Sequence, residues 1–261
     1  MATPHPLKDE GMRLSRRVAE LRACSRTEAE QLITGGCVRV DGQMVETPQF
    51  RVSTQTVEID PGASAMALQP VSLLLHKPTG VDAGTGEPVD IKGIGKGLRP
   101  ALALLRADTC APSGRGGPTP LTRHFAKQTL YLPLETRASG LVVFSQDWRI
   151  QRRLQEDAAT IEQEFTVDVE GVLTHEAVAA LNRPGHADSR LPSFKASITS
   201  SSQTATRLRF AVKGSHPGLI AWLCDRAGLQ ITAMKRIRIG RVPMADLPVG
   251  QWRYLMPYER F

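Results

Sequence analysis

A chain of 261 residues with 41% hydrophobic side chains can bury a proper core, as one large domain or as a small one beside a mid-sized one. A net charge of +7 and an isoelectric point near 9.5 favour a polyanionic partner, of which nucleic acid is the commonest. Four cysteines without a Cys-x-x-Cys spacing argue against a zinc site or a disulfide framework and fit reduced thiols in the cytoplasm, and no apolar run approaches the ~18 residues of a membrane span.

Residues 1–11 lack the apolar region of a signal peptide and read as a disordered lead-in. From residue 12 to 60 the pattern is dense. Leu14, Val18 and Leu21 fall at helical spacing and define one apolar face, with Arg13, Arg16 and Arg17 on the other side. Ser25-Arg26-Thr27-Glu28 is a capping box that opens a second helix, with Ala29, Leu32 and Ile33 as its buried face and Gly35-Gly36 as its stop. Val38-Arg39-Val40 alternates as a strand, Asp41-Gly42 is a two-residue hairpin turn, and Met44 and Val45 return.

These landmarks, in this order, resemble the S4 RNA-binding domain. The resemblance implies a two-helix face that holds structured RNA, with Arg13, Arg16, Arg17, Ser25, Arg26 and Arg39 at the phosphates. The physical reading agrees: a helix N-terminus at Ser25 carries a positive dipole end, and arginines beside it add fork geometry suited to phosphate.

Residues 61–70 are rich in small residues, flanked by prolines, and read as a linker. Val71 to Leu75 is a buried strand that runs into His76-Lys77-Pro78-Thr79-Gly80, where proline and glycine fix a turn. Residues 81–129 are rich in glycine and proline. A short helix over Leu98–Leu105 and a flexible loop over 112–118 are expected, with Arg106, Arg115 and Arg123 either touching RNA or simply mobile, the latter favoured. Gly93-Ile94-Gly95-Lys96-Gly97 matches neither the Walker pattern nor the dinucleotide fingerprint.

The stretch Tyr131 to Asp147 reads as a polar loop that turns at Gly140 and feeds a buried strand, Leu141–Ser145. Glu135 is the only carboxylate in the loop before that glycine. An acid on a loop seated on a rigid strand is where chemistry tends to sit. Trp148–Glu156 is a helix with a basic face of Arg149, Arg152 and Arg153. Gln163–Gly171 alternates as a strand, and Thr174–Leu181 is a capped helix. Phe194–Thr199 and Thr206–Val212 form an antiparallel pair, and the tail carries Met234-Lys235-Arg236-Ile237-Arg238-Ile239-Gly240 and Leu247-Pro248-x-Gly250-Gln251-Trp252-Arg253.

Leu134-Glu135, Gly140-Leu141 and Asp147, together with Lys77-Pro78-x-Gly80, Gln163-Glu164-Phe165 and the tail, resemble the S4-domain-containing RNA pseudouridine synthases, which modify ribosomal RNA. The resemblance implies an α+β chain: the S4 domain at 12–60, then a mixed, mainly antiparallel sheet domain with flanking helices over 71–261. It implies action on ribosomal RNA without metal or cofactor, and a carboxylate that attacks or deprotonates at the sugar of a flipped uridine; a monomer is the default expectation. Glu135 stands where the family has aspartate, Phe165 where it has a base-stacking tyrosine, Pro133 for an arginine and Ala138 for a threonine. Aligned on Cys224, arginine positions fall on uncharged residues that include Gly218 and Ala221. The resemblance further implies backbone contacts at Lys77, Lys235, Arg236 and Arg238. Two readings stand: a synthase that uses Glu135, and an inactive RNA-binding relative that serves ribosome assembly.

Overall fold

The computed structural model describes residues 11–65, 69–86, 99–112, 118–183 and 191–261. The expected lead-in through residue 10, the glycine-rich 93–97, Arg115 and most of 112–118 lie outside them. The chain divides into two compact units, residues 1–70 with 118–126 and residues 71–117 with 127–261.

The first unit holds β1 (Met12–Arg13), α1 (Leu14–Arg22), α2 (Arg26–Thr34), β2 (Val38–Val40), β3 (Gln43–Met44), β4 (Arg51–Val52) and β5 (Val57–Ile59). Its strands pair as β1-β4 and β3-β2-β5. Leu14, Val18, Ala29, Leu32, Ile33 and Val38 form the core between helices and hairpin. Ser25 Oγ accepts from Glu28 N–H at 3.2 Å while Glu28 accepts from Ser25 N–H at 2.8 Å, so the capping box closes. Asp41 and Gly42 both take positive φ, 50° and 78°, as the mirror-image hairpin turn requires. Leu21 departs from the expected face: α1 ends one residue later, Ala23 turns left-handed at φ 50°, and Leu21 is 48% exposed beyond the core. The late segment 118–126, with α3 (Thr122–Phe125), belongs to this unit, and Thr122 N–H donates to Glu46 at 2.7 Å.

The second unit is built on one sheet. Its strands are β6 (Ser72–Lys77), β9 (Thr129–Tyr131), β10 (Ser139–Ser145), β11 (Glu162–Glu170), β12 (Phe194–Ser201), β13 (Ala205–Lys213), β14 (Ile231–Ile239), β15 (Val242–Pro243) and β16 (Trp252–Tyr254). A small pair, β7 (Val81–Asp82) and β8 (Arg99–Pro100), stands beside it, with helices α4 (Trp148–Glu156), α5 (His175–Leu181) and α6 (Leu219–Arg226). The sheet runs β12-β13-β11-β14-β10-β6-β16, with β15 added to β14 and β9 to β10. Among the described residues every pairing in it is antiparallel except β10–β14, which is parallel and two residue pairs long, Ser139↔Lys235 and Gly140↔Arg236. That short junction joins the two halves of the sheet. In place of the helix expected over Leu98–Leu105 there is a single 3-10 turn, Ala101–Leu104. The segment 99–112 is docked rather than loose: Trp252 Nε1 donates to Arg106 O at 2.7 Å and Ala111 N–H donates to Trp252 O at 2.8 Å. No helix of the described residues is long and apolar enough to cross a membrane.

β14 contains a bulge that decides the site. Glu164 faces Arg238 and Phe165 faces Arg236, so Ile237 is left without an opposite residue on β11. In a regular strand Arg236 and Arg238 would share a face; the extra residue turns them to opposite ones. Arg238 reaches Glu162 at 2.5 Å and Glu164 at 2.7 Å, and Arg209 also binds Glu164.

Arg238, with Arg209 on the other side, pulls the Glu164 carboxyl from 4.5 to about 2. A depressed folded-state pKa gives stability that is whole above about 4.5 and is lost as pH falls towards 2. Thermal melts from pH ~5 to ~3 are therefore expected to fall less steeply for Glu164→Gln than for the wild type. Parallel slopes would show that the carboxylate does not carry the acid limb.

Candidate active site

The loop 132–138 between β9 and β10 is held from three sides. From β14, Arg236 donates through Nε to Leu141 O at 2.7 Å, through Nη1 to Gln163 Oε1 at 2.8 Å and Pro133 O at 3.2 Å, and through Nη2 to Leu132 O at 2.9 Å. From the end of β6, Lys77 Nζ donates to Ala138 O at 2.6 Å and Val81 O at 2.9 Å. From the turn after β6, Gly80 N–H donates to Thr136 O at 2.8 Å, and Leu134 N–H donates to Ala83 O at 3.1 Å. Leu132 is buried with a left-handed φ of 53°, a strained backbone that the Arg236 bond helps to hold.

Glu135 sits at the centre of this loop, 8% exposed. Its Oε1 accepts from Gly218 N–H at 2.6 Å. Gly218, at φ 87°, is the N-cap of α6, so the carboxylate meets the positive end of a helix. Two buried cations act on it electrostatically. Burial pushes Arg236 down to about 10 while Glu135 holds it up, and the guanidinium stays charged at neutral pH. Burial and the like charge of Arg236 push Lys77 down to about 8, opposed by Glu135 and Asp82.

Glu135, Phe165, Gln163, Pro133, Gly214 and His216 line one pocket, whose free volume of about 10 Å³ is that of one water. Phe165, 7% exposed, therefore shares the cavity with Glu135.

Two expected RNA contacts need correction. Lys77 is 0% exposed and Arg236 is 1% exposed, each spent on backbone carbonyls beneath the loop, so neither reaches a phosphate. Nor do residues 235–238 form one basic strip: the bulge sends Arg236 inward and Arg238 to Glu162 and Glu164, with Lys235 half-buried between. The buried cations near Glu135 do not include the exposed Arg137 of the loop; they come from β14 as Arg236 and from β6 as Lys77. In the first unit Arg13 and Arg17 are exposed, while Arg16 pairs with Glu20 at 3.0 Å, Arg26 with Glu30 at 2.9 Å and Arg39 with Asp60. Exposed pairs of this kind are weak and leave the arginines able to exchange partners. Ser25 is different. Its N–H and hydroxyl both go to Glu28, and that carboxylate occupies the helix end where a phosphate was expected.

Sequence reasoning missed Gln163, His216 and Gly218 N–H, and misread Lys77 and Arg236. Among the described residues no cluster of three or more His, Cys, Asp or Glu side chains could hold a metal.

The S4 domain family model matches residues 12–57. Over 252 residues the chain is 27% identical to a chloroplast protein of Arabidopsis thaliana named as a putative ribosomal large subunit pseudouridine synthase, covering 94% of this chain and 58% of the plant protein. It is 25% identical over 252 residues to an uncharacterized RNA pseudouridine synthase of Aquifex aeolicus, covering 95% and 94% of the two chains. A dual-specificity RNA pseudouridine synthase of Salmonella typhi is 22% identical over 261 residues, covering 97% and 78%. The chain thus spans just over half the length of the plant relative and nearly all of the Aquifex one. A crystal structure of a pseudouridylate synthase shares the fold, with a TM-score of 0.54 at 14% identity over 94% of this chain and 96% of that one. By an S4 domain at residues 12–57, by similarity along nearly its whole length and by its fold, the chain is similar to the S4-domain-containing RNA pseudouridine synthases.

Proposed function

We propose that the protein is an RNA pseudouridine synthase in which Glu135 is the catalytic carboxylate, acting on ribosomal RNA in the cytoplasm. The observation that carries this is the buried Glu135 carboxylate, bonded to Gly218 N–H in a pocket shared with Phe165 and lying in the field of Arg236 and Lys77. The reaction detaches uracil from C1′ of its ribose and rejoins it through C5, with neither redox change nor cofactor. It needs an ionised carboxylate against a uridine turned out of its stack. Arg236, Lys77 and the N-terminus of α6 set fixed positive charge around this carboxylate. Phe165 offers a ring face to the uracil. The pocket is closed to about one water, so a uracil enters only as its lining side chains give way.

The inactive-relative reading rested on a carboxylate without a cation. Arg236 and Lys77 supply two from beneath the loop, which supports an enzyme despite Pro133. RNA is held by the exposed arginines of the first unit, Arg13, Arg16, Arg17 and Arg26.

The test is tritium release from 5-tritiated uridine in ribosomal RNA taken from cells lacking the gene. Wild type is expected to release tritium and Glu135→Gln to release none. No release by wild type sinks the enzyme; undiminished release by the variant sinks the role of Glu135.

A further inference from the structure

Once C5 of the turned uracil has bonded to C1′, it still carries its hydrogen. The ring recovers its C5=C6 double bond only when that hydrogen leaves as a proton. A base must stand in the pocket to take it. Of the lining side chains, Glu135 and His216 alone carry a group that can accept a proton; Phe165 has none and the Gln163 amide takes no proton. In the reading above, on which this inference rests, Glu135 works at the sugar, and His216 is the other proton acceptor on the pocket wall.

His216 is built into its place. A side-chain carbon on Gly214 would lie 2.6 Å from His216 Nε2 and 3.2 Å from Cδ2, so the imidazole lies directly over the Gly214 backbone. The turn is tied to the sheet by Gln163 Nε2, which donates to Gly214 O at 2.6 Å, and Gln163 is the side chain that Arg236 grips. Leu219 N–H donates to His216 O at 3.1 Å and fixes the backbone against α6. The ring is exposed at the pocket wall, so it can pass a proton on to water.

We propose that His216 is the general base that removes the C5 proton. The C5–H bond breaks, its electron pair forms C5=C6, the N1=C6 pair moves onto N1, which takes up a proton from water, and the C5 proton goes to the imidazole nitrogen and then to solvent, so nothing is oxidised or reduced. Imidazole accepts protons near neutral pH, and a positioned base typically contributes about 100-fold or more.

The experiment uses the full chain and ribosomal RNA transcribed with either ordinary or 5-deuterated uridine, with pseudouridine measured by mass spectrometry. His216→Gln is expected to slow turnover by about 100-fold and to show a primary deuterium isotope effect that the wild type lacks, because C5–H cleavage becomes limiting. The residue is exposed, and a wild-type melting temperature is the check that the variant folds. Wild-type turnover in His216→Gln, or slow turnover without the isotope effect, overturns this assignment while leaving Glu135 in its role. A wild-type protein that forms no pseudouridine overturns both together.

Discussion

Replacing Arg236 with methionine is expected to destabilise the second unit by about 3–5 kcal/mol, the scale on which removing one member of a buried charged network acts. The side chain is of similar size, so little of this is a cavity. What is lost is the set of donors to Leu132 O, Pro133 O, Leu141 O and Gln163 Oε1, all in a buried region without water to replace them. The left-handed Leu132 loses the bond that opposes its strain, and Glu135 is left with Lys77 as its buried cation. Arg236→Lys keeps the charge but not the planar fork that reaches four acceptors, so it recovers only part of the loss. All three tryptophans, Trp148, Trp222 and Trp252, lie in the second unit, so the midpoint of urea unfolding followed by their fluorescence reads that unit alone. A loss below about 1 kcal/mol in Arg236→Met would mean that the guanidinium does not hold the loop.

The parts of this fold written in local spacing were legible. The Ser25–Glu28 box, the Asp41-Gly42 hairpin and the helix Trp148–Glu156 each depend on residues a few positions apart, and each forms where the pattern puts it. Glu135 stood out for the same reason: one acid in a polar loop ahead of a glycine and a buried strand. What could not be read is what a distant strand does to a side chain. Alternation along Lys235-Arg236-Ile237-Arg238 gives a solvent-facing basic strip, and nothing within those four residues announces a bulge. The bulge exists only in the register against Glu164 and Phe165, some 70 positions earlier in the chain. Lys77 failed similarly: beside a Pro-x-Gly turn it looks exposed, yet Val81, Thr136 and Ala138 fold their carbonyls around it. The cation whose absence from the loop argued against catalysis was in the sequence throughout, under a reading that gave it to phosphate.

Gly140→Ala is expected to cost about 3 kcal/mol or more and to remove activity along with stability. Gly140 has φ 116°, a conformation closed to side chains, and it lies opposite Arg236 in the two-pair parallel junction. A methyl group there would stand 2.3 Å from Arg236 O, 2.5 Å from its N and 2.9 Å from its C. These are backbone atoms of a strand already paired on its other side with β11, so they cannot swing away as a flexible side chain would. Relief requires β10 to part from β14, which opens the sheet along its centre and carries Arg236 away from Leu132, Pro133 and Glu135. Gly171→Ala supplies the comparison. Its φ of 82° makes it strained too, but its methyl group meets nothing within 4 Å, so it should cost only the roughly 1–2 kcal/mol of a left-handed backbone. The difference between the two unfolding midpoints isolates the collision with Arg236. If the two variants lose equal stability, the tight junction is not what locks the candidate active site to the sheet.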